Sequence, residues 1–572
     1  MKKQLFLISL LPMIGLSFIL TVSNVNAQAS DWLWAKSMGG NKYDNAVAVG
    51  TDVKGNAYVA GYYGSDTIYF GSSFLTNPGG DNVFLAKYNT GGNLLWAKKP
   101  NGTGGYNKAT CLAVDASGNS FMAGNFTSET ISFGSDTLIN ASGEGTESLF
   151  LVKYDSSGNA LWAVTEGVSA GGASVMFDVS ATSVAVDNKD NTYVTGTFLS
   201  HTLVLGTTTL VNDDSTHNTT DVFIVKYNSI GQVQWAKSAN GTANDYSASI
   251  AVNVPLNTIC MAGYFQSPTI TFGSTTLTNA GTENLFLAKY DTLGNLTWAK
   301  SVGCNMDDVG NGVALDASGS IYLTGDFNSP TIVFDTTTLT NVGDFNIFLA
   351  KFNSSGTVLW AKGAGGNMVD VSNTVAVDAS GNPYIAGAFQ GINIQFGSSI
   401  FVNTDPGNYD VFLAKYDNNG NVLCAARAAG TYDDVASSIA VDGSGNSYIV
   451  GYFYSPSLLF GSTTLTNADN VANNTSDGFL AKLSANTGIN ELSEISNISV
   501  FPNPANDIIT IENTAFTKDE TISIYDIQGQ LLLQQTMLQA KTNIDISAFS
   551  KGIYFVKVKT ANGMDVKKIV KE

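Results

Sequence analysis

Ten residues after a recurrent tryptophan stands an acid: Asp44, Asp245, Asp308 and Asp370 follow Trp34, Trp235, Trp298 and Trp360, and Asp434 follows Cys424 at the same offset. The second occurrence has Asn107 at offset 11, and the third has Asp178 after a longer stretch. Carboxylates ringing one mouth of a channel would reinforce one another's field and attract a cationic ligand or a divalent ion, and calcium is the cofactor such oxygen donors suit. The competing reading is architectural: each Asp caps its own Gly-rich loop by accepting backbone N–H bonds, and the role repeats because the loop repeats.

Other chemistry is sparse. The two histidines, His201 and His217, fall in one long excursion with no ligand-spaced partners, which argues against histidine catalysis and His-rich metal centres. Cys111, Cys260, Cys304 and Cys424 show no CxxC spacing and read as buried small hydrophobes, with Cys260 and Cys304 the one pair close enough in the repeat to check. No nucleophile elbow, P-loop, HExxH or dinucleotide fingerprint stands in a strand-to-helix context. Paired carboxylates for glycoside hydrolysis stay open, because their pairing would be spatial.

The elements that must position these residues come from a repeat. Trp-Ala-Lys at 34–36 recurs at 96, 162 (as Trp-Ala-Val), 235, 298 and 360, with Cys-Ala-Ala at 424, at spacings of 62, 66, 73, 63, 62 and 64 residues. Between these anchors lie seven VAVD-like and seven FLAK-like segments. DASGN at 115–119 and YDSSGN at 154–159 separate β-rich runs, and their Asp and Gly suit tight turns. Each unit therefore holds four strands, and four-stranded units repeated radially make propeller blades. The first Trp strand, 32–36, precedes any inner strand, while the last unit ends at 479–483 without one, so the two ends are expected to complete one blade. The tryptophans read as blade-to-blade packing.

Composition agrees. Only 13% of residues are charged, against roughly 25% in typical globular chains, which excludes coiled coils and charge-rich disorder. Residues 28–484 carry 18 Lys+Arg against 37 Asp+Glu, so nucleic acid is not an expected partner, whereas residues 495–572 carry 8 of each. Lys2 and Lys3, the apolar run from Leu5 to Val22 and Val25-Asn26-Ala27 form a secretory leader, leaving a mature chain from Gln28 without a transmembrane helix. The expected organisation is a signal peptide at 1–27, a seven-bladed β-propeller at 28–484, a linker at 485–496 and a small Ig-like β-sandwich at 497–572. The fold class is all-β.

WAKSMGG, VAVDASGN and YIAGAF resemble the SBBP-type β-propeller repeat of secreted bacterial proteins, over residues 32–483. That family is a scaffold without common catalytic residues. The C-terminal module resembles the type A sorting domain of the type IX secretion system of Bacteroidota, through Phe501-Pro502-Asn503-Pro504, Ile524-Tyr525-Asp526 with Gly529, Gly552-Ile553-Tyr554 and Lys567-Lys568-Ile569-Val570. The resemblance implies passage through the periplasm and across the outer membrane, with the secretion machinery and a cell-surface sortase as partners.

Two functions follow as expectations. One is a secreted or cell-surface noncatalytic scaffold that binds a glycan, protein or cation through one face of the ring; the other is a secreted polysaccharide hydrolase or lyase using channel-mouth carboxylates. A scaffold is expected to keep the repeat symmetry, and an enzyme to show one deep asymmetric pocket.

Overall fold

The structure, a computed structural model, describes residues 28–485 and 498–572 except 30–31, 103, 141–142, 144–145, 169–178, 215–218, 404, 470–474, 514–515, 517, 519, 527–529 and 561–562. The leader 1–27, the linker from 486 to 496, Asp178, His217 and Gly529 lie outside the described residues. The chain divides into two compact units between Thr487 and Gly488.

The fold is all-β. Among the described residues the one helical turn is a 3-10 turn at Val254–Leu256, and no helix is long and apolar enough to cross a membrane. In the first unit, a four-stranded antiparallel motif recurs seven times. Its first example runs Asp44–Thr51, Ala57–Tyr63, Asn82–Tyr88, Leu94–Lys98, each strand paired with the next. The inner strands of the others are Asn107–Val114, Val179–Val186, Asp245–Asn253, Asp308–Leu315, Asp370–Val377 and Asp434–Val441. Turn chemistry fixes the hairpins: Asp115 Oδ1 accepts from the amides of Ser117 and Asn119, both at 2.8 Å, while Gly118 takes the positive φ of 82°.

The seventh sheet takes its fourth strand from the other end of the chain, as the count of elements predicts. Trp32–Met38 pairs antiparallel with Asp477–Leu483, Ala35 opposite Ala481. Neighbouring sheets are tied by repeated bonds. The indole Nε1 of Trp96 donates to Ser156 O at 3.3 Å, that of Trp162 to Ser229 O at 3.0 Å and that of Trp360 to Asn418 O at 3.0 Å. Trp34, on the N-terminal strand, makes the same bond to Thr90 O of the first sheet at 3.1 Å. Lys482 Nζ reaches Thr90 O at 3.3 Å, as Lys87 reaches Ser156 O at 3.2 Å. The first and seventh inner strands also touch, Val49 N donating to Ser438 Oγ at 3.3 Å.

Two sequence expectations need correction. Each repeat exceeds the four expected strands: in TITFGSTTLTN, residues 269–279, Thr269–Phe272 and Thr275–Thr278 form an added hairpin, and its counterpart recurs in every repeat. Several of these hairpins extend the preceding sheet, with Ala239 opposite Phe272 and Ala428 opposite Phe460. Alternating Thr and large apolar residues bury one hairpin face, so Ile270 and Phe272 have no exposure. The second correction is register. Asp44 faces Tyr63 and Asp308 faces Phe327, but in the third sheet Val179 faces Phe198, so Val179 and not Asp178 holds the equivalent position. Counting back from the turn aspartates finds it, because strand length from cap to turn is constant whereas the preceding loop is not.

In the second unit, strands Ile498–Phe501, Ile508–Asn513 and Lys541–Asp545 form one sheet, and Leu531–Met537, Glu520–Tyr525, Gly552–Thr560 and Gly563–Lys571 the other. Ile509, Ile511 and Ile544 from the first share a core with Ile522, Ile524, Val556 and Val558 from the second. Among the described residues of this unit there are seven strands.

Candidate functional site

The acids singled out by spacing begin the inner strands, and they are buried. Asp44, Asp245, Asp308, Asp370 and Asp434 have no exposed surface, and Asn107 is 2% exposed. Each binds the loop beside it. Asp44 accepts from Ser65 through its hydroxyl at 2.7 Å and amide at 3.3 Å. Asp245 does so from Ser267 at 2.8 and 3.2 Å, and Asp434 from Ser455 at 2.7 and 3.2 Å. Asp308 binds the Ser329 hydroxyl at 2.8 Å and the Cys304 amide at 2.7 Å. In the second sheet Asn107 accepts from the Ser128 hydroxyl at 3.0 Å, and in the sixth, where Gly391 replaces the serine, Asp370 accepts from the Gly366 amide at 2.5 Å.

These are capping bonds. The structure does not bring the predicted acids together, and among the described residues no three His, Cys, Asp or Glu side chains stand close enough to hold a metal ion. His201 caps an outer hairpin, its carbonyl accepting from Asn212 N at 2.9 Å. Cys260 is buried, Cys304 half-buried, and both are free thiols.

Sequence reasoning missed the partners of these caps. Asp221, Asp410 and Asp477 open third strands and face Asp245, Asp434 and Asp44 across sheet junctions. Gly241 N donates to Asp221 Oδ1, and Gly430 N to Asp410 Oδ1, each at 3.1 Å. Burial raises Asp44 to about 8, with Asp477 adding repulsion against the lowering bonds of Ser65; Asp477 itself is raised to about 7, again chiefly by burial. A signal existed, since Asp221–Asp245 and Asp410–Asp434 share one separation; Asp477 and Asp44 meet only when the chain ends meet.

The residue after each cap behaves differently. These positions read Asn45, Lys108, Ser180 and Tyr246 in the first four sheets, then Val309, Val371 and Val435. Their cross-strand partners are Tyr62, Asn125, Thr197, Tyr264, Asp326, Ala388 and Tyr452. Around the second to fourth sheets these side chains line a cavity of about 420 Å³ with Tyr106 and Glu147.

Its polar wall is connected. Asn125 Nδ2 lies 3.0 Å from Ser180 Oγ and 3.3 Å from Glu147 Oε2, while Asn125 Oδ1 accepts from Ala181 N at 3.3 Å. Burial lifts the Glu147 carboxyl to about 7, against the lowering bond from Asn125 and the Lys108 charge. Lys108 Nζ is 3.7 Å from Asp81 Oδ2 and 4.9 Å above the Tyr62 ring. The Tyr246 ring is braced 5.0 Å from Tyr264. The lining thus offers donors, acceptors and aromatic surface, with Glu147 the one carboxyl among its described residues.

In the C-terminal unit, the motif residues are tied to one another. Asn503 Nδ2 donates to Lys568 O, and Val570 N to Asn503 Oδ1, both at 2.9 Å, so the Phe501-Pro502-Asn503-Pro504 segment is fastened to the last strand with Lys567 and Lys568. Tyr554 OH donates to Ser550 O at 2.6 Å, closing the turn before Gly552.

Residues 499–572 match the secretion system C-terminal sorting domain. This type IX sorting tail indicates export to the cell surface or extracellular space, and with it engagement of the type IX machinery. The chain is similar to an uncharacterised WD repeat-containing protein of Acanthamoeba polyphaga mimivirus, 26% identical over 543 residues, covering 79% of this chain and 38% of that protein. The chain therefore spans under two-fifths of that relative's length. Propeller-like neighbours among solved structures include a gluconolactonase from Xanthomonas campestris, at 10% identity and TM-score 0.25, covering 63% of this chain and 94% of that one. Another is PorZ, a surface component of the type IX system of Porphyromonas gingivalis, at 11% identity and TM-score 0.14, covering 94% of this chain and 100% of that one.

Proposed function

We propose that the sorting tail, a small Ig-like sandwich, exports a noncatalytic seven-bladed propeller of SBBP type that binds an extracellular glycan or protein at the cavity between its second and fourth blades. The closed ring is supported by the bonds that join Trp34, Lys482 and Ser438 to the first sheet in the manner of the other junctions. Cysteines replacing Ala35 and Ala481, direct register partners, are expected to form a disulfide in the folded protein without reshuffling. Non-reducing electrophoresis with mass spectrometry reads it, and persistently free thiols would refute the closure.

One observation supports the binding role above the others. Seven like junctions need like side chains for packing, and five of the seven cap positions are Asp; the residues just after them vary far more. Asn45, Lys108, Ser180 and Tyr246 add hydrogen-bonding and aromatic groups on one side of the ring, where Val309, Val371 and Val435 serve on the other. Asymmetry of this kind is also what an enzyme would have, and the raised Glu147 carboxyl favours the alternative of a hydrolase or lyase in which it acts as proton donor. The scaffold reading is preferred because carboxylate-paired hydrolysis needs a second acid, and among the described lining residues Glu147 is the one carboxyl. Calcium is not part of this reading, because the hydrogen bonds that Asp44, Asp245, Asp308 and Asp434 accept come from their own loops.

Arrays of glycans and extracellular proteins probed with the mature chain test the proposal, alongside incubation with polysaccharides. Retention of a ligand without new reducing ends or unsaturated products is the expected result. Product release that Glu147→Gln abolishes would replace the scaffold by the enzyme.

A further inference from the structure

Resting on that binding reading, we infer that the cavity beside Tyr246 takes one pyranose unit of a glycan, with adjacent hydroxyls against Glu147, Asn125 and Lys108 and an apolar ring face against Tyr246. Size sets the first limit. A cavity of about 420 Å³ lies near the lower end of small-ligand clefts, roughly 300 to 1,000 Å³, and admits one or two rings but no folded segment.

Charge sets the second. The Lys108 ammonium already faces Asp81, so a strongly anionic ligand would have to compete with a carboxylate. Glu147, the one acid among the described lining residues, already shares its wall with an amide and an ammonium, so a strongly cationic ligand meets Lys108 as well. A neutral ligand suits this balance best.

Hydrogen-bonding pattern sets the third. Along one wall stand an acceptor at Glu147, a donor at Lys108, an amide at Asn125 and the hydroxyls of Ser180 and Thr197, which both donate and accept. A pair of adjacent hydroxyls, each a donor and an acceptor at once, satisfies such an alternating wall, whereas a peptide or an apolar ligand would leave part of it desolvated and unpaired. Asn125 positions this wall, since its two N–H donors face Ser180 and Glu147 and the Ala181 amide holds its carbonyl oxygen, leaving one Oδ1 lone pair for a ligand hydroxyl. Tyr246, braced by Tyr264, and the exposed Tyr106 also line the cavity and supply flat apolar surface for the C–H face of a sugar ring.

The arrangement is peculiar to this part of the ring. The residue before the third strand is Glu147 here but Thr220, Phe345, Tyr409 and Ser476 in four other sheets, and where it is Asp81 or Glu283 it is engaged by Tyr43 or Gln266, at 2.8 and 2.6 Å. Only beside Glu147 is the neighbouring amide also part of the cavity wall.

Saturation-transfer difference NMR on the mature chain tests this, using the methyl pyranosides of glucose, galactose, mannose and N-acetylglucosamine. Transfer is expected for at least one of them, strongest at the protons of a single ring face. Tyr246→Ala and Glu147→Gln are each expected to weaken that signal by about tenfold in affinity, the factor a lost stacking or charged hydrogen-bonding partner commonly costs. Tyr246→Phe keeps the ring and should retain most of the binding, which separates a lost contact from a lost fold. Undiminished transfer in both Tyr246→Ala and Glu147→Gln would overturn the assignment to this cavity while leaving glycan binding elsewhere on the ring. Absence of transfer from every pyranoside would overturn the sugar class, and the broader binding reading would then stand or fall on the protein array.

Discussion

Gly451→Ala is expected to destabilise the first unit by about 3 kcal/mol, the upper end of the usual cost of overpacking. Gly451 lies on the second strand of the seventh sheet, opposite a β-bulge between Ala436 and Ser438. A Cβ there would stand 1.9 Å from Val435 O and 2.9 Å from Ala436 Cα, backbone atoms with no rotamer to change. The bulge drives the inner strand against its neighbour, and only a residue without a side chain leaves room. Gly61, Gly124, Gly196, Gly263, Gly325 and Gly387 hold the same place, each with a carbonyl oxygen within 2.1 Å of the would-be Cβ. The seventh sheet is the most exposed to such damage, because it joins the two ends of the unit. Thermal unfolding followed by circular dichroism should show a midpoint lower by about 10 °C, given roughly 2–4 °C per kcal/mol in larger domains. Gly443→Ala, at an exposed turn where the added Cβ meets nothing, is the control and should unfold like the parent. Equal midpoints for the two variants would show that the bulge yields.

Stability is also expected to fall as pH rises from about 5 to about 8.5, through linkage to the buried caps. Burial raises Asp44 to about 8 and Asp245, Asp370 and Asp477 to about 7, from an ordinary 3.8. The sign follows from proton counts: between 3.8 and the raised values the folded chain holds protons that the unfolded chain has released, so the unfolding free energy drops as pH climbs and levels off above the folded values. The turn aspartates act elsewhere on the scale. Burial opposes ionisation of Asp52 and Asp378, but bonds from Asn56 and Asn382 and the charges of Lys87 and Lys415 hold both below 3.8, so their contribution is lost only in stronger acid.

The Asp44–Asp477 junction isolates the effect. Asp477 accepts from Ala468 N through Oδ2 at 2.7 Å, and its buried Oδ1 makes no hydrogen bond. Asp477→Asn keeps that acceptor and removes one charge from beside Asp44. The variant should gain stability over the parent at about pH 8.5 and match it at about pH 5, in urea titrations at roughly 0.5 M salt, where surface repulsion is screened. A parent whose stability is flat or rises over this range would overturn the account.

The sequence alone determined what contiguous residues can build. Asp115 caps its own turn through amides two and four residues on, and the Trp strands, turns and tail motifs recur at fixed spacings, so strand order, the meeting of the chain ends and the sorting module were legible without coordinates. Even the capping role of Asp44, Asp245 and Asp308 was legible as one of two readings, because a loop and its cap lie close in sequence. Their burial was not legible, because it depends on which face of an inner strand meets the neighbouring sheet. Val179 took the place expected of Asp178 because pairing with Phe198 sets register, whereas spacing from a tryptophan includes a loop of variable length. The cavity belongs wholly to the tertiary structure: Asn125 reaches Ser180 across 55 residues of chain and a sheet boundary, and nothing in either local sequence marks the pair. Local bonds are written in neighbouring residues; the meeting of Glu147, Asn125, Ser180 and Tyr246 required three sheets to be placed side by side first.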